Sequence, residues 1–211
     1  MKTSNTQRTI DAYNKNAVKY ASKFDNYEIY KKKISEFQKK YIARGTHILD
    51  LGCGPGNNIK TILQLDNTCS FTGIDLSKEF INIARLRFPQ FNFLQQNICN
   101  LEIKTKYEVV IASFCIVHLT DDETDNFFAS LSDVIANNGY LYLSYMNGEK
   151  SGFESTSFSE EKIFFNYYQD QFVINLMSES GISVLEIGKE EYMEPDGSKT
   201  IDTFIYAKKK K

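Results

Sequence analysis

A chain of 211 residues with 42% apolar residues, sixteen phenylalanines and a formal charge of -2 can build one domain with a sizeable core, which excludes a disordered or fibrous chain. No stretch approaches the roughly 18 apolar residues of a membrane span, and the near-neutral total gives no general signal for nucleic acid. The charge is uneven, since residues 1–44 hold eleven Lys and Arg against four Asp and Glu, while residues 45–211 carry a net of -9; the basic segment reads as a solvated helix face, with placement of an anionic ligand as the alternative.

The first residues carry no apolar leader, so the cytoplasm is the expected compartment. Residues 10–24 follow helical spacing, with Tyr13, Ala17, Tyr20 and Phe24 on one face. A second helix is expected over 27–43, with Tyr30, Ile34, Phe37 and Tyr41 inward and Arg44-Gly45 as its stop. No low-complexity linker separates these helices from the rest of the chain. They are read as a helical cap (1–44) on an α/β core (45–211) in a single domain.

His47 to Gly52 reads as a strand, Gly52 to Gly56 as a turn, and Asn57 to Leu65 as a crossover helix. Ser70 to Asp75 is a second strand ending in a carboxylate, and Ser77 caps a helix running to about Phe88. Residues 91–96 form a third strand and Tyr107 to Phe114 a fourth, whose Val109-Val110-Ile111-Ala112 is apolar without alternation, as both-face burial requires. Thr120 and Glu123 have capping-box spacing before a helix over 121–136 that Asn137-Asn138-Gly139 ends, and Tyr140 to Met146 is a fifth strand. Residues 147–161 lack periodicity and read as a lid or pocket wall, followed by a helix over about 160–180. Ser183 to Met193 and Lys199 to Lys208 are strands joined by a turn at Pro195-Asp196-Gly197, so they should pair antiparallel.

The apolar strand Ile48-Leu49-Asp50-Leu51 runs into Gly52-Cys53-Gly54-Pro55-Gly56. Alternate glycines let a backbone approach a ligand closely, and the helix beyond them presents free N–H groups. The spacing departs from the dinucleotide pattern G-x-G-x-x-G, because Asn57 stands where the third glycine would be. Asp75, 19 residues beyond Gly56 at the end of the second strand, can accept both hydroxyls of a ribose, a role open to nicotinamide and adenosylmethionine enzymes alike. His118 follows the fourth strand, where a neutral imidazole could take a proton from a hydroxyl or amine, with loop packing as the alternative. His47 lies at the far end of the first strand, so the two histidines form no metal constellation. Of the four cysteines, Cys53, Cys69, Cys99 and Cys115, no two form a CxxC pair, and they are read as reduced.

Segments Ile48–Gly56, Gly73–Ser77, Gln95–Ile98 and Tyr107–Leu119, with Tyr13–Tyr20 ahead of them, resemble the ordered motifs of the class I S-adenosylmethionine-dependent methyltransferases that act on small molecules. The resemblance covers about residues 10–145. It implies a doubly wound, seven-strand Rossmann-like α/β sheet with strand 7 antiparallel, and S-adenosylmethionine as cofactor, with S-adenosylhomocysteine as product. It also implies that Gly52, Cys53, Gly54 and Gly56 pass beneath the cofactor, Asp50 orients its methionyl end through the turn, Asp75 holds the ribose, and Leu76 and Ile98 sandwich the adenine. Asn97 stands where the family carries an aspartate for the adenine amino group, and its amide oxygen accepts the same bond. Ser113 and Phe114 are placed near the transferable methyl, and Tyr13 and Tyr20 form a roof.

The expected reaction is methyl transfer to N, O or S of a small-molecule acceptor, with His118 as the candidate base and no metal. The expected partners exclude nucleic acid and membranes, and the oligomeric state is left open. A protein that binds adenosylmethionine without catalysis and a nucleic-acid methyltransferase are the alternatives. The aromatics Phe153, Phe158, Phe164, Phe165, Tyr167 and Tyr168, with Tyr145 and Met146, are candidates for the acceptor wall.

Overall fold

The frame of the computed structural model, which describes residues 4–193 and 199–211, is a sheet laid down mostly in parallel. Its strands are β1 (His47–Leu51), β2 (Ser70–Asp75), β3 (Asn92–Gln95), β4 (Tyr107–Ser113), β5 (Ile135–Asn147), β8 (Ile182–Met193) and β9 (Lys199–Lys209), and a separate pair is formed by β6 (Ser151–Thr156) and β7 (Ser159–Asn166). Among the described residues the sheet order is β3-β2-β1-β4-β5-β9-β8. The first five positions pair in parallel, whereas β9 runs antiparallel to both β5 and β8. The seven-strand sheet with an antiparallel last strand is therefore as expected. The proposed turn at Pro195-Asp196-Gly197 lies outside the described residues.

Helices cover both faces, as all-apolar parallel strands demand. Helices α2 (Glu28–Tyr41), α3 (Asn57–Leu65) and α4 (Lys78–Arg87) bury Ile34, Phe37, Ile59, Ile62, Ile81 and Ala84 against one face. Helices α5 (Asp121–Val134) and α6 (Asp170–Glu179) bury Phe127, Phe128, Leu131, Val173 and Met177 against the other. Thr120 and Glu123 do close a capping box on α5, which satisfies two of its orphan N–H groups. Helix α1 (Asn5–Phe24) packs apart from both layers, with Ala12, Tyr13 and Ala17 against Phe80, Phe158 and Ile163.

Four expectations change. Helix α1 begins at Asn5 rather than residue 10, because Ser4 accepts a hydrogen bond from the Gln7 N–H at 3.1 Å and caps it. Helix α5 stops at Val134, and β5 starts at Ile135 rather than Tyr140; the ladder jumps from Tyr107–Ile135 to Val109–Tyr140, so Asn137-Asn138-Gly139 forms a strand irregularity and not a helix stop.

The expected irregular stretch and the first half of the helix over 160–180 are instead the β6–β7 hairpin. Ile163 and Tyr167 imitate helical spacing, but Ile163, Phe164 and Phe165 are β-formers, and Phe164 pairs across the hairpin with Phe153 at a ring separation of 5.7 Å. Finally, the basic face of α2 is partly matched, while Lys32 and Lys39 stay exposed as expected. Lys33 meets Glu190 at 2.8 Å and Lys40 meets Glu186 at 2.6 Å, so the basic helix lies on acidic β8. A pair as exposed as Lys40–Glu186 is worth roughly 0–1 kcal/mol; Phe37 and Ile34 of the same helix are buried in the core.

Candidate active site

The C-terminal ends of β1, β2 and β4 meet at one edge, where open α/β sheets bind ligands. The chain leaves β1 through Gly52, at φ +66°, where a Cβ would run into that of Cys115. It enters α3 at Gly56, at φ +88°, where a Cβ would stand 2.7 Å from the Phe88 ring. Left-handed backbone and lack of space both call for glycine at these two positions. Gly54 has no atom within 4 Å of its would-be Cβ, so the turn faces open space. Arg87 ties the turn down, donating to the Pro55 carbonyl at 3.1 Å and the Asn57 side chain at 3.0 Å, and pairing with Asp25 beyond the end of α1.

Asp75 closes β2 beside this turn. Its carboxylate accepts the Gly54 N–H at 2.9 Å on one oxygen and the Ser77 N–H at 2.8 Å on the other. Burial pushes its pKa up to about 6, against the pull of those N–H groups. Asp50 lies underneath, fully buried. One of its oxygens faces the Asn58 amide at 3.5 Å and the other has no partner among the described residues. Desolvation pushes the Asp50 pKa up to about 7. An unpartnered buried carboxylate oxygen costs free energy.

An inner cavity of about 110 Å³ is lined by Tyr13, Tyr20, Gly52, Gly54, Asp75, Leu76, Asn97, Ile98, Ser113, Phe114 and His118. An outer cleft of about 670 Å³ shares Tyr13, Tyr20, Gly52, Gly54, Ser113, Phe114 and His118 with it and adds Cys53. That size falls within the roughly 300–1,000 Å³ of small-molecule sites. Asp50 and Gly56 line neither space, since the first supports the turn from below and the second opens α3. Asn97 lines the inner cavity while its side-chain oxygen accepts the Cys99 N–H at 2.9 Å. Phe114 is held at φ +50°, with its N–H donating to Ser144 and its ring 4.7 Å from that of Tyr30. A bulky residue in left-handed backbone costs of order 1–3 kcal/mol and clusters at functional sites.

Tyr13 and Tyr20 face one another at 5.4 Å under α1, and both contact Phe80 and Phe158 at 5.0–5.8 Å. Asn14 anchors this helix by accepting the Ser77 hydroxyl at 2.8 Å and the Glu79 N–H at 3.2 Å, so the roof is bolted to the start of α4. The His118 Nδ1–H donates to the Phe164 carbonyl at 2.9 Å, which leaves Nε2 as the acceptor for the Tyr13 hydroxyl at 2.8 Å. Burial pushes the His118 pKa down to about 4, so the ring is neutral near pH 7.

Phe80, Gln96, Thr6 and Thr9 also line the inner cavity and did not stand out in the sequence. A cap recognised at Ser4 would have brought Thr6 and Thr9 onto α1, and Phe80 is the N3 residue of the helix that Ser77 caps. Of the candidate acceptor-wall residues, Met146, Phe158, Phe165 and Tyr167 line the outer cleft. Tyr145 instead donates to Asp170 at 2.8 Å and Tyr168 to the Leu119 carbonyl at 2.8 Å, both within the core.

Residues 48–139 match the family model of a methyltransferase domain. A trans-aconitate 2-methyltransferase of Klebsiella pneumoniae (strain 342) is 32% identical over 95 residues, which is 45% of this chain and 37% of that protein. The matched segments span less than half the length of the curated relatives. A S-adenosylmethionine-dependent methyltransferase from Clostridium acetobutylicum superposes with a TM-score of 0.70 at 15% identity, covering 92% of this chain and 98% of that one. A Haemonchus contortus phosphoethanolamine N-methyltransferase 2, in complex with phosphomonomethylethanolamine and S-adenosylhomocysteine, superposes at 0.73 with 12% identity, covering 100% of this chain and 61% of that one.

The two raised carboxyl values carry a sign. Asp50 and Asp75 bind protons more tightly folded than unfolded, so the stability they favour is present below about pH 4 and is lost as the pH rises through 6 to 7. Denaturant unfolding of the ligand-free protein should show this fall, at up to about 1.4 kcal/mol per pH unit per group. Asp50→Asn should flatten the upper part of the window. An unchanged slope in that variant would contradict the assignment.

Proposed function

We propose that this chain is a class I methyltransferase, a reading supported by its fold and by its match over residues 48–139, that it binds S-adenosylmethionine across the inner cavity and the adjoining part of the outer cleft that shares its walls, and that it transfers the methyl group to N, O or S of a small-molecule acceptor in the rest of the outer cleft. The observation that carries this reading is the Asp75 carboxylate, fixed by the N–H groups of Gly54 and Ser77 on the wall of the cavity that Tyr13 and Tyr20 cover. Two backbone bonds leave lone pairs on both oxygens, which suits a pair of ribose hydroxyls.

The residues present fit the cofactor. Leu76 and Ile98 supply apolar surface for the adenine, and Asn97, whose oxygen retains a second lone pair, supplies an acceptor for its amino group. Gly52, Cys53 and Gly54 keep the turn small, Gly56 begins the helix behind it, and the orphaned Asp50 oxygen draws the polar methionyl end through the turn. Ser113 and Phe114 bound the end where the inner cavity meets the outer cleft. When bound, the sulfonium supplies an electrophilic methyl carbon and leaves as a neutral thioether. The protein's own part is alignment and exclusion of water, which the Tyr13–Tyr20–Phe158 roof provides.

Proton removal, where the acceptor needs it, falls to the Tyr13–His118 pair. The acceptor proton passes to the Tyr13 oxygen as the Tyr13 proton passes to Nε2, and the Phe164 carbonyl steadies the far side of the ring. Holding that proton on a group of pKa about 4 costs about 4 kcal/mol at pH 7. The pair is therefore suited to brief hand-over and not to storage. For an acceptor that is already anionic, the same pair serves only to position Tyr13.

Calorimetric titration tests the cofactor assignment. Because Asp75 must be ionised to accept two hydroxyls, affinity for S-adenosylmethionine should hold above pH 7 and weaken about tenfold per unit below pH 6. Asp75→Ala should weaken it at least tenfold at pH 7.5. Full affinity in that variant would sink the assignment. Tyr13→Phe and His118→Ala should each lower turnover about tenfold or more, and the double variant should be no worse than either, as for groups acting as one unit. Additive losses would separate the two residues.

A further inference from the structure

The charges of the outer cleft are unevenly matched. Asp25 is held by Lys60 and Arg87, and Glu154 is held by Lys150 at 3.0 Å and by the Tyr167 hydroxyl at 3.0 Å. Lys23 lines the same cleft but pairs with no carboxylate among the described residues. Its ammonium donates to the Ser157 hydroxyl and lies 5.3 Å from the Phe24 ring centroid. The adjacent Thr156 also lines the cleft, and its buried hydroxyl oxygen has no partner among the described residues. Lys23 stands three residues from Tyr20, on the same face of α1. Tyr20 lines both spaces, whereas Lys23 lines only the outer one.

The opposite end of the site carries the opposite sign. Asp50 and Asp75 lie at the glycine turn, where a second anion is repelled. A ligand with a negative group is therefore oriented, with that group outward toward Lys23 and the remainder inward between aromatic walls.

We propose that the outer cleft takes an acceptor bearing an anionic oxygen group, a carboxylate or a phosphate, which Lys23 anchors where α1 meets the β6–β7 hairpin. The Ser157 hydroxyl beside Lys23 is a further donor, and Phe24 and Phe158 flank the body of the acceptor. This rests on the methyl-transfer reading, because the donor must occupy the inner cavity for the acceptor to point its reacting atom inward.

The test is a titration of the protein saturated with S-adenosylhomocysteine, using phenylacetate, phenyl phosphate, phenylacetamide and phenethylammonium at low salt. At least one of the two anions should bind ten or more times as tightly as the amide, and the ratio between the anions identifies the oxyanion. Lys23→Met should abolish the preference, Lys23→Arg should retain it, and added salt should weaken it. The proposal is overturned if the amide or the ammonium binds as well as the anions, if the preference survives Lys23→Met, or if no member of the panel binds. The S-adenosylhomocysteine titration reports separately on the cofactor reading. Should it fail, the anion comparison is made on the protein without it.

Discussion

The bracing of Asp75 between the glycine turn and the start of α4 is the constraint on which the site depends. The Gly54 and Ser77 N–H groups fix both carboxylate oxygens, so the end of β2, the turn after β1 and the N-terminus of α4 move as one body. The turn can take that shape only because Gly52 and Gly56 carry no side chain, since a Cβ at the first would meet Cys115 and one at the second would meet Phe88. Arg87 completes the brace by joining the turn to Asp25. Burial raises the charge cost of both acids beneath it, and a bound ligand with hydroxyl and cationic groups relieves that cost.

The cover is assembled from parts distant in sequence. Helix α1 reaches α4 through Asn14, α5 through a Thr6–Glu123 bond of 2.7 Å, and β7 through Asn16 and Glu161 at 3.0 Å. Tyr13 ends on His118, which in turn ends on the β7 carbonyl of Phe164. The roof, the loop after β4 and the hairpin are thus linked by one hydrogen-bonded chain. The arrangement grades from acidic beneath the turn, through aromatic under α1, to basic at Lys23.

The parallel core was legible because strands buried on both faces read as apolar runs without alternation, as Val109-Val110-Ile111-Ala112 of β4 does. The glycine turn and Asp75 were legible because so few residue types tolerate that backbone and that edge. The β6–β7 hairpin was not, because Ile163 and Tyr167 repeat at helical spacing and the pairing that overrides it, Phe153 with Phe164, is tertiary. Phe80 escaped notice for the same reason, since only the fold brings it beneath Tyr13 and Tyr20. The excess of lysine before residue 44 was visible, but Glu186 and Glu190 lie some 150 residues further along the chain. Only the docking of α2 on β8 shows that Lys33 and Lys40 are matched, and only the folded cleft shows that Lys23 pairs with no carboxylate among the described residues.

The most direct test of the central claim is mass spectrometry of a small-metabolite extract incubated with the protein and S-adenosylmethionine labelled in its methyl group. At least one small molecule should gain a single labelled methyl while S-adenosylhomocysteine accumulates, and both signals should fall about tenfold or more with Asp75→Ala at a cofactor concentration below saturation. Tight binding of S-adenosylmethionine with no labelled product in any extract, or label transferred equally well by Asp75→Ala, would contradict it.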